Sequence, residues 1–116
     1  MNNYKSGCLA EFIARSFLRL KGYSIIAKNY VTGKGTNAGE VDFIAKKGGA
    51  IIFVEVKKRK DLETAAYSIS EKQKQRIRRA AEAFLKYHPH YQNHNVRFDA
   101  ILIKLPLKII HIKDAF

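Results

Sequence analysis

Glu40, Asp42 and Glu55 fall within one sixteen-residue stretch of a chain whose first sixty positions hold twelve Lys and Arg and only four acids. Glu40 and Asp42 are spaced i, i+2, and so are Glu55 and Lys57. On a β-strand that spacing puts each pair on one face. Carboxylates gathered on neighbouring strands repel each other and lose hydration unless a positive charge joins them. A hard dication does this: Mg²⁺ or Mn²⁺ takes one or two carboxylates together with waters and a phosphate. A lysine at the same spot can orient or deprotonate a water, or stabilise charge on a pentavalent phosphorus. Glu-Val-Lys on a strand also suits an ordinary solvated face with Glu55 paired to a lysine. Asp42 and Glu40 on the next strand favour metal-assisted phosphodiester chemistry.

The charge names the matching substrate. Among 116 residues, 22 Lys and Arg oppose 10 Asp and Glu, a net +12, with a pI of about 10. Such a chain seeks a polyanion, either nucleic acid or an anionic membrane surface. An apolar fraction of 47% supports one core, and this length suits one domain over 1–116. A single cysteine, Cys8, makes no internal disulfide, which points to a reducing, cytoplasmic compartment and away from a Cys-rich zinc site. No signal peptide and no run approaching a membrane span is visible.

The elements that must position these residues follow from periodicity. Residues 6–21 read as a helix with Leu9, Ile13, Phe17 and Leu20 as its buried stripe. Ser6 suits its N-cap and Gly22 its C-terminal end. Tyr23 to Val31 is β-prone, and 32–39 is a polar, glycine-rich loop. Glu40–Lys46 and Ala50–Lys58 read as strands joined by the Lys47-Gly48-Gly49 turn. A polar connection, 57–69, leads to a helix from Ser70 to Tyr87. Ser70 and Gln73 have capping-box spacing, Ile77, Ala80, Ala81, Phe84 and Leu85 point inward, and Pro89 ends the helix. Strands at Val96–Lys104 and Lys108–Ile112 follow, with a turn at Pro106. The order α-β-β-β-α-β-β predicts an α/β layer structure around one mixed sheet.

Several residues admit two readings. Glu11 lies nearly opposite the expected stripe and can pair with Arg15 at i+4, yet Ala14 and Leu18 share its side, so that face can also pack beside the hairpin. Gln73 either closes the capping box or faces inward with Ile77. Asp99 reads as structural, paired with Arg97. His88, His90, His94 and His111 lack the spacing of a zinc site, and Gly33-x-Gly35 lacks that of a phosphate-binding loop. Tyr87 and Tyr91 could stack on a base or edge the core.

Gly39-Glu40-Val41-Asp42-Phe43-Ile44-Ala45 and Phe53-Val54-Glu55-Val56-Lys57-Lys58-Arg59 resemble the signature of the YraN family of small bacterial proteins. Gly7-Cys8-Leu9-Ala10-Glu11 resembles that family's opening helix. Arg97-Phe98-Asp99 and Ala115-Phe116 resemble its closing segment. The family is similar to Holliday-junction resolvases and the wider PD-(D/E)XK nucleases. The resemblance implies a restriction-endonuclease-like three-layer core and a single nuclease-like domain. It makes Asp42 and Glu55 the metal carboxylates, Lys57 the catalytic lysine and Glu11 a further acid of the site. It adds the carbonyl of Val56 as a backbone ligand and a place for Gln73 near the metal. The sequence departs from the wider pattern at Val41, where those nucleases have proline. It departs from the family at Gln73, where lysine is usual, and in a longer 31–39 loop.

Lys57-Lys58-Arg59-Lys60 leaves the proposed active strand, and Lys72, Lys74, Arg76, Arg78 and Arg79 crowd the start of the second helix. By phase these helix residues spread round the exposed arc. Their expected role is phosphate contact, which sets affinity rather than sequence choice. The expected function is thus a Mg²⁺- or Mn²⁺-dependent endonuclease on structured or branched nucleic acid, DNA ahead of RNA. The resolvase likeness allows a homodimer, and no membrane partner is expected. The alternative is a nucleic-acid-binding protein that keeps the fold without the chemistry.

Overall fold

Apolar runs at 43–45, 51–54 and 100–103 provide the centre of a five-stranded sheet. In the computed structural model, which describes residues 3–33, 35, 38–58, 69–104 and 108–116, helix α1 spans Asn3–Leu20, β1 Ser24–Thr32, β2 Gly39–Lys47 and β3 Ala50–Lys58. Helix α2 spans Glu71–Tyr87, β4 Asn95–Lys104 and β5 Lys108–Ile112, with a 3-10 turn at Pro89–Tyr91. The element order is the expected one. Arg59 and Lys60, the rest of 59–68, and the turn expected at Pro106 lie outside the described residues.

The strands lie in the order β1-β2-β3-β4-β5. β1, β2 and β3 form an antiparallel meander, β3 and β4 run parallel, and β5 returns antiparallel to β4. The parallel pair requires a crossover, and α2 lies in it. Gly48, with a φ of +56°, turns β2 into β3 at little steric cost.

Both sheet faces are covered, which gives the three layers. Ile52 and Val54 pack with Ala10, Ala14 and Leu18 of α1. Ile51 and Phe53 pack with Ile77, Ala80, Ala81 and Phe84 of α2. Burial on both faces is why β3 reads as an almost unbroken apolar run. Among the described residues, no helix is long and apolar enough to cross a membrane.

Two expectations are corrected. The α1 stripe is displaced: Leu9 is 47% and Leu20 89% exposed, whereas Ala10, Ala14 and Leu18 are buried. The alanines let the helix backbone approach the sheet closely, and Ile13 and Phe17 fill its flank. This turns Glu11 from the far side of the helix toward the sheet margin. Along β2, Val41 packs in the cluster under α2 and Phe43 in the one under α1. The two do not share a face as strict alternation requires: the ladder with β3 is last paired at Phe43, and the face changes across Asp42.

Candidate functional site

That change of face builds the site. The β2–β3 register runs from Lys47↔Ala50 to Phe43↔Val54. Continued one step it would set Asp42 opposite Glu55, and a second step would set Val41 opposite Val56. Instead the Val56 N–H donates to Asp42 Oδ2 at 2.7 Å. The carboxylate thereby satisfies a backbone donor where the strands part.

Asp42 and Glu55 hydrogen-bond to each other through their side chains. Lys57 Nζ lies 3.4 Å from Glu55 Oε2, with the two side chains only 13% and 11% exposed. Burial is the main cause that raises Glu55, to about 8; the Asp42 charge and the shared hydrogen bond add to it, and Lys57 opposes it. Burial also raises Asp42, against hydrogen bonds from Glu55 and the Val56 N–H and the Lys57 charge. Two carboxylates in such contact hold one proton between them near neutral pH.

Glu11 is a neighbour of this pair. Its Oε1 lies 3.9 Å from Arg15 Nη1, so the expected i, i+4 contact is present. Its carboxyl is nonetheless raised, by burial first and then by the Asp42 charge, with Arg15 pulling it back. Electrostatic coupling to Asp42 meets the second reading of Glu11 as well. Gln73 closes the capping box: its Oε1 accepts from the Ser70 N–H at 3.3 Å, and its own N–H donates to Ser70 Oγ at 3.1 Å. Glu40 is exposed and pairs with Arg76 at 3.2 Å.

Among the described residues, no three His, Cys, Asp or Glu side chains are grouped as a metal cage. The donor set is a buried carboxylate pair with a third acid nearby. Its chemistry suits a small hard dication, which would replace the shared proton, better than zinc.

The basic residues sort into separate roles. Lys72, Gln75, Arg76 and Arg79 line a groove of about 440 Å³ with Gly35. Arg79 continues into a second hollow of about 300 Å³, shared with Thr32, Gly33, Glu82, Ala83, Lys86 and Tyr87. Lys74 pairs with Glu71 at 3.4 Å, and Lys58 is half-buried at the end of β3. Gly39 anchors the groove's opposite wall: a Cβ there would lie 2.6 Å from the Ala80 backbone nitrogen. Sequence reading found no role for that glycine, because the close approach is between distant segments.

Asp99 is fully buried, as its pairing with Arg97 suggested. Arg97 Nε and Nη2 donate to its two oxygens at 2.8 Å, and the Asp114 N–H donates at 3.0 Å. The unforeseen partner is His111, whose Nε2 lies 2.7 Å from Asp99 Oδ2. Burial pushes Asp99 up, but the hydrogen bonds from His111, Arg97 and Asp114, with the Arg97 charge, hold it at about 2.

The family model described as "Uncharacterised protein family UPF0102" matches residues 10–103, a span that holds Asp42, Glu55 and Lys57. A UPF0102 protein of Paramagnetospirillum magneticum is 46% identical over 115 residues, covering 97% of this chain and 87% of the relative. UPF0102 proteins of Rhodopseudomonas palustris strain BisA53 and Bradyrhizobium sp. strain ORS 278 are each 42% identical, covering 97% of this chain and 85% and 77% of theirs.

Proposed function

Since the chain belongs to the UPF0102 family, also known as YraN, we propose that it is a Mg²⁺- or Mn²⁺-dependent endonuclease acting on structured or branched DNA. One observation carries the reading: Asp42 and Glu55 share a hydrogen bond largely out of solvent, with the Lys57 ammonium 3.4 Å from Glu55, in a strongly basic chain.

Asp42, Glu55 and the carbonyl of Val56 are the groups that would hold the ion, with Glu11 as a further acid. The ion, when bound, polarises the scissile phosphate and acidifies a water. Lys57 places a positive charge where negative charge grows on the phosphoryl oxygens. The pair's burial keeps bulk water from screening these charges. Lys72 and Arg76 draw the phosphate chain toward the carboxylates.

A fluorescent branched or flap DNA incubated with Mg²⁺ or Mn²⁺ tests this beside Asp42→Ala. Cleavage by the parent and none by the variant is expected. Equal cleavage by both, or none by the parent across a broad substrate panel, rejects it.

A further inference from the structure

We propose that the groove along α2 seats a single strand of nucleic acid, with Arg79 and Lys86 as backbone contacts and Tyr87 as a stacking platform for a base. The proposal deepens the nuclease reading and rests on its choice of nucleic acid as substrate. It says which form of nucleic acid meets the protein beside the carboxylates.

Helical geometry makes the track. Lys72, Arg76, Arg79 and Lys86 stand at i, i+4, i+7 and i+14, which confines them to an arc of about 80° on the helix surface. They line two hollows that meet at Arg79. From Lys72 to Lys86 the helix rises about 21 Å, room for about four nucleotides, the short end of single-strand sites. The opposite wall includes Thr32, Gly33 and Gly35. Gly39 holds that segment against the backbone of Arg79 and Ala80. Hollows of about 440 and 300 Å³ between one helix and one backbone segment suit a single phosphate chain better than a duplex.

Both ends fit this occupant. Near one end Arg76 pairs with Glu40 at 3.2 Å, two residues before Asp42 on β2, which ties that end of the track to the strand that carries Asp42. At the other, Tyr87 is 67% exposed, with Lys86 Nζ 5.7 Å from its ring centroid. A cationic track ending on an exposed aromatic ring is the combination that holds single strands without sequence preference.

The test is fluorescence anisotropy in EDTA, so that binding is read without hydrolysis. The probes are labelled dT12, rU12 and a twelve-base-pair duplex. The parent should bind dT12 or rU12 at least about tenfold more tightly than the duplex. R79Q/K86Q removes two phosphate-binding cations. It should weaken single-strand affinity by about tenfold and flatten the salt slope by about 1.4. K86Q/Y87A lies away from Gly39 and leaves that packing intact. It should weaken binding by about tenfold as well, for one stacked base and one charge. Equal affinity for strand and duplex, or unchanged single-strand binding in K86Q/Y87A, overturns the proposal. A protein that binds single strands as expected yet cleaves nothing refutes the nuclease reading alone, and one that cleaves with no single-strand preference refutes the groove alone.

Discussion

Asp42 accepts a 2.7 Å hydrogen bond from the N–H of Val56, fourteen residues further along the chain. The carboxylate thus has a folding role as well as its proposed ligand role, and substitutions can separate the two. Asp42→Asn keeps an oxygen acceptor for the Val56 N–H, so its stability should fall little. Asp42→Ala strands that donor and should cost about 1–3 kcal/mol in urea unfolding. Both should abolish Mn²⁺ binding in calorimetric titration. Retention of Mn²⁺ affinity by Asp42→Asn would remove Asp42 from the ion site.

Glu55 makes stability depend on pH in a direction unusual for an acid. Its folded carboxyl is raised from 4.5 to about 8, so the folded state holds the proton more tightly than the unfolded chain. The resulting stability is fully present below pH 4.5 and is lost as pH rises through about 8, at about 1.4 kcal/mol per pKa unit. Glu55→Gln cannot ionise and should be more stable than the parent at pH 8–9, with the difference closing toward pH 4.5. Thermal melts across that range provide the check. Mn²⁺ should replace the shared proton, so titrations near pH 7 in buffers of different ionisation enthalpy should show about one proton released per ion.

Gly39 is the first residue of β2 and meets α2 backbone to backbone. A Cβ there would fall 2.6 Å from the Ala80 nitrogen and 3.0 Å from the Arg79 carbonyl carbon. Neither atom belongs to a flexible side chain, so the strand and helix must separate. Gly39→Ala should lose about 1–3 kcal/mol of stability in urea. Gly49 has nothing within 4 Å of its Cβ position, and Gly49→Ala provides the matched control, with a change within about 0.5 kcal/mol.

The parts of the fold legible in the sequence are those set by local pattern. β3 ends where expected, Ala50–Lys58, because its buried run is bounded by the Gly48-Gly49 turn and a lysine cluster. The capping box of α2 forms as its Ser70/Gln73 spacing requires. Period-two spacing places Lys57 beside Glu55, whereas the approach of Asp42 crosses from the neighbouring strand. The α1 stripe is misread because large side chains outweigh alanines in the periodicity. It is the small residues, Ala10 and Ala14, that face the sheet. The break in alternation at Asp42, the groove wall held by Gly39 and the His111–Asp99 contact join segments far apart in the chain, where no local period records them.

Asp99 carries the opposite pH signature to Glu55. Its carboxyl is held at about 2 against an ordinary 3.8, so it contributes stability that is present above pH 3.8 and lost as pH falls through about 2. The carboxylate is fully buried and meets Arg97, His111 and the Asp114 N–H at once. Asparagine removes the charge and, whichever oxygen it replaces, turns an amide NH2 toward a donor of Arg97. Asp99→Asn should therefore lose about 3–5 kcal/mol at pH 7, the cost of breaking a buried pair from one side. Its urea midpoint should also vary less between pH 4 and pH 2 than the parent's. Asp99 clusters with Arg97, Tyr23 and His111, whereas Asp42 and Glu55 bond to each other, to the Val56 N–H and to Lys57. The folded variant should therefore keep the parent's Mn²⁺ affinity. A folded Asp99→Asn protein that binds no Mn²⁺ would show that the two clusters act together, and the structural role argued for Asp99 would be incomplete.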